Sequence, residues 1–309
     1  MHTPVLLNEV IEALSLKKGS VVIDGTLGLG GHSEKILEYI IPNGLLIGID
    51  QDTRNIKEAK KKLKAYEKNT KIVHDNFRNI EEVLKKLKVK KVDGILLDLG
   101  LSSVHVDKAD RGFSFQSDGP LDMRMNSEQE ITAATIVNSY TEKDLADVIY
   151  EYGEERMSRR IARSIVEKRK IQKFQTTREL AIVIESVIKQ KHTSKHPALL
   201  TFQALRIAVN DELNALESVL EQSMGLLSLG GRLAVISYHS LEDRMVKHFF
   251  RKQARQCICP KESPLCTCHH SPQLNIITKR PIRPTDKEIS ENPRARSGKM
   301  RVAERMINE

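Results

Sequence analysis

The sequence contains no tryptophan, and aromatic residues make up only 4% of its 309 positions. It also lacks an apolar run near the ~18 residues that a membrane-spanning helix needs. Its first residues do not show the basic-then-apolar layout of a signal peptide. The four cysteines all fall between Cys257 and Cys268, which is too few and too clustered for a disulfide framework in a chain of this size. These absences argue against membrane and secreted classes, and we expect a cytoplasmic protein.

Acidic residues are in the minority: 41 Asp and Glu stand against 50 Lys and Arg, for a net charge of +9. This excess favours an anionic partner, with nucleic acid ahead of a membrane surface, although a merely basic protein has the same composition. Residues 156–173 are the extreme case, with one acid and eight bases: Arg156, Arg159, Arg160, Arg163, Lys168, Arg169, Lys170 and Lys173. The segment is either a solvated helix face or a surface for RNA phosphates.

A glycine-rich turn follows the first predicted strand. Three β-branched apolar residues lead into Asp24, and four glycines then precede an amphipathic helix. Strand, glycine turn and helix in this order are typical of the first unit of a doubly wound α/β domain, where the backbone approaches a ligand closely. Ser33 stands where a dinucleotide-binding turn has its third glycine, and no lysine follows Gly31 as in a P-loop. The turn therefore favours S-adenosylmethionine, with a plain tight turn as the alternative.

Acidic residues end three of the predicted strands, at Asp24, Asp50 and Asp98. Because parallel strands end at one edge of a sheet, where ligands bind, we expect these carboxylates to face one site. Asp50 lies 20 residues (50 − 30) beyond Gly30, the spacing at which a carboxylate accepts hydrogen bonds from a ribose diol. The alternative role of Asp50 is to cap the next helix.

Three more residues fall near predicted strand ends. Phe77 follows the third strand and either stacks on an adenine ring or belongs to the core. His239 follows the fifth strand and is either a substrate contact or proton-transfer group, or a loop histidine with a structural role. Ser240 is expected to cap the helix after that strand.

The α/β pattern is interrupted after the fourth strand. A long irregular loop and three helices follow, and the pattern then resumes with one long helix and a fifth strand. We therefore expect a Rossmann-like α/β fold, a mostly parallel doubly wound sheet with an all-helical insert domain. The core would be formed by residues 1–108 and 199–309, and the insert by residues 109–198.

Two Cys-x-Cys pairs lie in an irregular stretch near the end of the chain: Cys257 with Cys259, and Cys266 with Cys268. Four thiolates suit a tetrahedral zinc ion. These pairs are tighter than the usual Cys-x-x-Cys knuckle, so a mobile loop without metal remains the alternative. The sequence alone assigns no metal.

Stretches along almost the whole chain resemble the bacterial 16S rRNA (cytosine-N4)-methyltransferase family. The resembling segments are 2–7, 24–33, 93–100, 111–115, 119–125, 239–244 and 291–297. The resemblance accounts for Thr26, because the turn of this family runs Asp-Gly-Thr. It implies a class I methyltransferase core with a helical insert and S-adenosylmethionine as cofactor. The implied reaction methylates the N4 amine of a cytidine in the decoding region of 16S rRNA, in the small subunit or its precursor, by a monomer or homodimer with no membrane partner.

The same resemblance implies roles for individual residues. Cofactor contacts carry over by matching motif to Gly30, Gly31 and His32 for the methionine moiety, Asp50 for the ribose, Phe77 for the adenine side, and Asp98. His105 stands where the family usually has a glutamine. Asp98 is also the catalytic candidate, placed to hold the amine. The competing hypotheses are a non-catalytic RNA-binding protein with a methyltransferase-like fold and a methyltransferase of a non-RNA substrate.

Overall fold

The computed structural model describes residues 4–102, 109–188, 196–260, 263 and 265–306. Over these ranges, no helix combines the length and apolar character that crossing a membrane requires. The chain divides into two compact units, one formed by Met1–Gly100 with Asn214–Glu309 and the other by Leu101–Leu213. The insert expected at 109–198 lies within the second unit, which extends beyond it on both sides.

The first unit is built on a sheet whose described strands are β1 (Val21–Asp24), β2 (Leu45–Asp50), β3 (Thr70–His74), β4 (Val92–Asp98), β5 (Leu227–Ser237), β6 (Leu274–Ile276) and β7 (Lys299–Arg305). Their spatial order is β3-β2-β1-β4-β5-β7-β6. Strands β1 to β5 pair in parallel, whereas β7 runs antiparallel between β5 and β6. The mostly parallel α/β sheet expected from the sequence is confirmed.

The α-helices in the described part of the chain are α1 (Leu7–Leu14), α2 (Gly31–Ile40), α3 (Thr53–Lys62), α4 (Ile80–Lys86), α5 (Ala133–Ser139), α6 (Glu142–Gly153), α7 (Ser158–Ile171), α8 (Thr177–Val187), α9 (Leu199–Asn210), α10 (Glu212–Leu226), α11 (Ser240–Gln253) and α12 (Asp286–Glu291). Short 3₁₀ turns lie at 64–69, 77–79, 109–111 and 293–297.

Apolar residues cover both faces of the sheet. Ile23 and Ile47 belong to a cluster with residues of α4, α10 and α11, whereas their strand neighbours Val22 and Leu46 belong to a second cluster with residues of α1 and α2. Successive side chains of a strand point to opposite faces, so a sheet covered on both sides needs continuous apolar strands. This packing explains why the strand sequences are apolar throughout and end in a single acid.

The second unit has a core of its own, formed by the apolar stripes of α5 to α9. The expected caps are present: the Thr141 hydroxyl accepts from the backbone N–H of Asp144 at the start of α6, and Thr176 and Glu179 form a capping box at the start of α8. Helix α5, capped by Thr132, was not among the three helices expected from the sequence.

The single long helix expected before the fifth strand is wrong, because the chain breaks between α9 and α10. Asp211 adopts a left-handed conformation with φ of 50°. The buried side chain of Asn210 donates to the carbonyl oxygen of Met123 at 2.8 Å and accepts from the N–H of Met125 at 2.8 Å. These bonds fix the end of α9 to a loop of its own unit, and apolar spacing alone gives no sign of them. The glycines expected to stop this helix lie inside β5, which begins at Leu227.

Candidate active site

Three acids lie at the carboxyl edge of the sheet, as the strand ends predicted. Strand β1 lies between β2 and β4, and Asp24 is in register with Gly48 on one side and Leu96 on the other. Asp50 and Asp98 therefore each lie two residues further along, beyond the end of β1. The edge holds one fully buried carboxyl group, that of Asp24, flanked by two that lie nearer the ligand side.

The glycine turn is tied to the neighbouring strands. Gly25 donates to the carbonyl oxygen of Leu96 at 2.9 Å, and Gly28 donates to Oδ2 of Asp50 at 2.8 Å. Gly30 forms the N-cap of α2 with φ of 79°, a conformation that only glycine adopts readily. The turn thus presents backbone N–H groups at the N-terminus of a ten-residue helix, an arrangement that favours a ligand carboxylate or phosphate.

Two hydroxyl side chains near the glycine turn, those of Ser33 and Thr26, each have a structural role. The hydroxyl of Ser33, on α2, donates to Oδ2 of Asp24 at 2.7 Å, while burial raises the pKa of that carboxyl. The hydroxyl of Thr26 accepts from the backbone N–H of Asp98 at 2.6 Å. Ser33 and Thr26 therefore connect the turn to the ends of β1 and β4 through side-chain hydrogen bonds.

Asp50 is the most heavily hydrogen-bonded of the three acids. Its Oδ1 accepts from the N–H of Asp52 at 2.7 Å, its Oδ2 accepts from Gly28, and the side-chain amide of Asn55 lies 3.2 Å from Oδ2. Burial nevertheless raises the pKa of Asp50 to about 7. The Asn55 amide is shared with Oδ1, at 3.4 Å, so three donor groups orient a carboxyl group that has about four acceptor positions.

Asp98 forms a cluster with two residues from other elements. Its Oδ1 accepts from the hydroxyl of Tyr238 at 2.7 Å, and its Oδ2 lies 3.7 Å from Nδ1 of His32. Burial raises the pKa of Asp98 to about 6, although the His32 ring and the Tyr238 hydrogen bond both oppose the rise. Gly100 makes room for the Tyr238 ring, since a Cβ at this glycine would lie 3.1 Å from Cδ2.

The ring orientation of His32 follows from its partner. Its Nε2 lies 2.9 Å from the carbonyl oxygen of Val5. Because a carbonyl only accepts, Nε2 carries a proton, and Nδ1 faces Asp98. His32 is 6% exposed, so this ring closes the inner wall of the site near the start of α2.

The remaining predicted residues differ in their placement. Phe77 begins a 3₁₀ turn, packs against the core and also borders the glycine turn, since a Cβ at Gly25 would lie 3.4 Å from its Cβ. His239 is the N-cap of α11, where its Nδ1 accepts from the N–H of Glu242 at 3.5 Å and Oε2 of Glu242 accepts from the N–H of His239 at 3.3 Å. The expected Ser240 cap is wrong, because the reciprocal pair one residue earlier takes that role. His105 lies outside the described residues.

Sequence reasoning missed two residues of the site. Tyr238 directly follows β5, so its place at a strand end was a signal, but its bond to Asp98 spans 140 residues. Asn55, buried inside the first turn of α3, resembles any polar helix residue in the sequence. The Tyr238 contact has no signature in local spacing, and the Asn55 contact, although only five residues from Asp50, has no distinctive motif.

The basic segment of the second unit is divided between structural and surface roles. The guanidinium of Arg169 donates to the carbonyl oxygens of Val137 at 2.7 Å and Tyr140 at 2.6 Å, at the C-terminal end of α5. In contrast, Arg159 and Arg160 are exposed on α7. Arg169 therefore belongs to the fold of this unit, and the exposed members of the segment form its basic surface.

Comparisons with known proteins place this arrangement in a family. The model of the MraW methylase family matches residues 1–306. A protein named Ribosomal RNA small subunit methyltransferase H from Dehalococcoides mccartyi is 54% identical over 306 residues, which cover 99% of this chain and 87% of that protein. Proteins of the same name from Halothermothrix orenii and Clostridium botulinum are 48% and 49% identical, with 99% of each chain covered.

Proposed function

The chain belongs to the MraW methylase family, and from that premise we propose that it is an S-adenosylmethionine-dependent methyltransferase of 16S rRNA. The proposed target is the N4 amine of a cytidine in the decoding region, and the proposed place of action is the cytoplasm, where ribosomal subunits are assembled. The observation that carries the proposal is the near-complete match to relatives named for methylation of small-subunit rRNA, together with three acids and a glycine turn at one sheet edge.

The residues present fit S-adenosylmethionine. Asp24, Asp50 and Asp98 all have raised pKa values, chiefly because they are buried. A ligand that brings positive charge and hydroxyl donors stabilises such carboxylates, and this cofactor carries a sulfonium, an ammonium and a ribose diol. Its carboxylate suits the N–H groups that follow Gly30 at the N-terminus of α2. The donors and acceptors of the edge thus complement the carboxylate, the two positive charges and the ribose diol of the cofactor.

Specific contacts follow from this fit. Asp50, held by Gly28 and Asn55, would accept from the ribose hydroxyls. Gly30, Gly31 and His32 would surround the methionine moiety, and Phe77 would contact the adenine. Gly31 has no room for a side chain, since an added Cβ would collide with the ring of Pro4.

When bound, S-adenosylmethionine supplies a methyl group activated by its sulfonium. The exocyclic amine of cytosine is a weak nucleophile, because its lone pair is delocalised into the ring. The protein must hold that amine in line and receive the proton that nitrogen loses when its bond to carbon forms. Asp98 is the proposed acceptor: a carboxylate whose pKa is about 6 is ionised at neutral pH and is still a better base than an ordinary aspartate. Tyr238 acts as a positioning residue through its 2.7 Å bond to Oδ1.

The target cytosine must leave its base stack to reach the proposed active site. A cytosine in RNA exposes its amine to such a site only when the base is unstacked, so the enzyme also needs a surface that grips the surrounding backbone. The exposed arginine and lysine side chains of α7 and of the residues beside it are the proposed RNA contacts in the second unit.

The proposal is tested by methyl transfer to rRNA. Purified protein, labelled S-adenosylmethionine and small subunits that lack the modification should yield N4-methylcytidine, identified by digestion to nucleosides and mass spectrometry. An Asp98→Asn variant is the matched control, and it should transfer little label even at a cofactor concentration that saturates it. If the wild-type protein binds cofactor and RNA but transfers no methyl group, it is a binding protein with a methyltransferase-like fold. Transfer of label to ring carbon 5 or to a protein would contradict the N4 target.

A further inference from the structure

The two Cys-x-Cys pairs converge in space. The Sγ atoms of Cys257, Cys259, Cys266 and Cys268 all lie within 4.8 Å of one another, and all four thiols are free. Sγ of Cys268 lies 3.7 Å from that of Cys257 and 3.6 Å from that of Cys266. The four sulfurs thus form one compact group.

These separations match a metal site and differ from those of disulfides. A zinc ion with Zn–S bonds of about 2.3 Å in tetrahedral geometry places its sulfurs about 3.8 Å apart. A disulfide would bring two of them to about 2.05 Å. An iron–sulfur cluster, with several irons between the ligands, holds its cysteine sulfurs much further apart. The observed spacing suits one tetrahedral ion.

Backbone donors point at the sulfurs. The N–H of Ile258 lies 3.5 Å from Sγ of Cys268, and that of Thr267 lies 3.4 Å from Sγ of Cys259. The N–H of Cys259 likewise lies 3.4 Å from Sγ of Cys257. Such donors stabilise thiolate, the form in which cysteine binds metal, and they are the usual second layer around a structural zinc site.

The surrounding segment lies at the surface and is closed at its base by a backbone hydrogen bond. It leaves α11 at Gln253 and returns at Gln273, whose N–H donates to the carbonyl oxygen of Gln253 at 2.8 Å. Between these points the chain has exposed side chains, including Leu265 at 77% exposure. None of the residues described between these two points is buried, so apolar packing does little to order this part of the segment, and a metal would supply the missing constraint.

We propose that Cys257, Cys259, Cys266 and Cys268 bind one zinc ion through four thiolates, and that this ion fixes the segment between α11 and β6. The role is structural, since four protein ligands leave no open position for substrate. The ion would fasten the loop in the same unit that carries the glycine turn, and it takes no part in methyl transfer.

Zinc content is the first test. Protein expressed with added zinc and passed through a desalting column should retain about one equivalent of zinc by elemental analysis. Replacing the zinc with cobalt should produce the intense absorption of a tetrahedral thiolate site. Cys259→Ser and Cys268→Ser should each lower the metal content to background. His270→Ala, two positions beyond the last proposed ligand in the same loop, is the matched control and should keep the ion.

Two further readouts distinguish metal from other thiol chemistry. In the loaded protein the four thiols should react slowly with a thiol reagent until a chelator is added, and chelation should speed tryptic cleavage after Lys252 and Arg255. Cysteine variants should still bind S-adenosylmethionine, which separates loss of zinc from loss of the fold. Four rapidly reacting thiols in protein that retains no added zinc would overturn the proposal, as would disulfides found by mass spectrometry in protein kept under reducing conditions. Metal lost from His270→Ala but kept in Cys259→Ser would overturn the ligand set.

Discussion

Asp98→Asn should stabilise the cofactor-free protein while removing its activity. Burial raises the pKa of Asp98 from 3.8 to about 6, so the folded state keeps a proton over a pH range in which the unfolded chain has lost it. The free energy of unfolding therefore falls as pH rises from about 4 to about 6, and above that range this contribution stays constant. The shift of roughly two pKa units corresponds to about 3 kcal/mol at neutral pH. Asparagine, which is neutral at every pH, avoids this cost.

The assay is urea denaturation of cofactor-free wild-type and variant protein. Far-ultraviolet circular dichroism is the probe, since the chain has no tryptophan. The variant should be more stable by about 3 kcal/mol near pH 7, and this advantage should shrink as pH falls toward 4. Methyl transfer by the variant should fall about 100-fold or more, because an amide cannot accept the proton.

Asp93→Asn is the matched control at the other end of β4. The Asp93 carboxylate accepts from the N–H of Val21 at 2.8 Å, so this variant should lose stability and gain none at any pH. Our reasoning about Asp98 would be refuted by an Asp98→Asn protein that is no more stable than wild type at neutral pH. A gain of equal size at pH 4 and pH 7 would also refute it, because that gain would not come from proton linkage.

Three other predictions follow from the same contacts. Asp50→Ala should weaken S-adenosylmethionine binding by ~1.5–3 kcal/mol, about tenfold to a hundredfold in Kd, and calorimetry showing unchanged affinity would rule out the ribose contact. Gly30→Ala and Gly19→Ala both place a side chain at positive φ, 79° and 88°, and each should lose ~1–2 kcal/mol of stability, but only the Gly30 variant should lose cofactor affinity. Equal affinities of the two variants for S-adenosylmethionine would show that the glycine turn does not bind the cofactor. Arg159→Gln should weaken RNA binding and reduce its salt dependence without changing the melting temperature. Arg169→Ala should lower the melting temperature, because it removes two hydrogen bonds to the end of α5. A lower melting temperature for Arg159→Gln and an unchanged one for Arg169→Ala would contradict the division of the basic segment.

The fold and the strand-end acids were predictable because both depend on local patterns. Apolar runs that end in an acid give the strands, and parallel pairing then brings Asp24, Asp50 and Asp98 to one edge. The proposed roles of Gly30 and Phe77 remain predictions, because they depend on a bound cofactor.

What the sequence could not provide was the set of contacts between distant residues. The hydrogen bond from Tyr238 to Asp98 spans 140 residues, and the bonds that hold Asn210 at the end of α9 span more than 80. Arg169 shows the same limit: in the sequence it is one of eight similar bases, and only its distance from two carbonyl oxygens separates it from the exposed ones. Counting the basic residues of the segment shows how many there are and not which of them already form hydrogen bonds within the protein.

The position of β7 has a consequence for biosynthesis. This strand follows the other described strands in the sequence, yet it lies between β5 and β6, and its Met300, Val302 and Ala303 are fully buried. The nascent first unit therefore exposes one side of β5 until residues 299–305 have left the ribosome, whereas the second unit, a continuous segment, is complete at residue 213. Domains fold as their residues become available. The helical unit is thus expected to mature before the sheet is complete, and the partly built sheet is the stage at which this chain most needs chaperone protection.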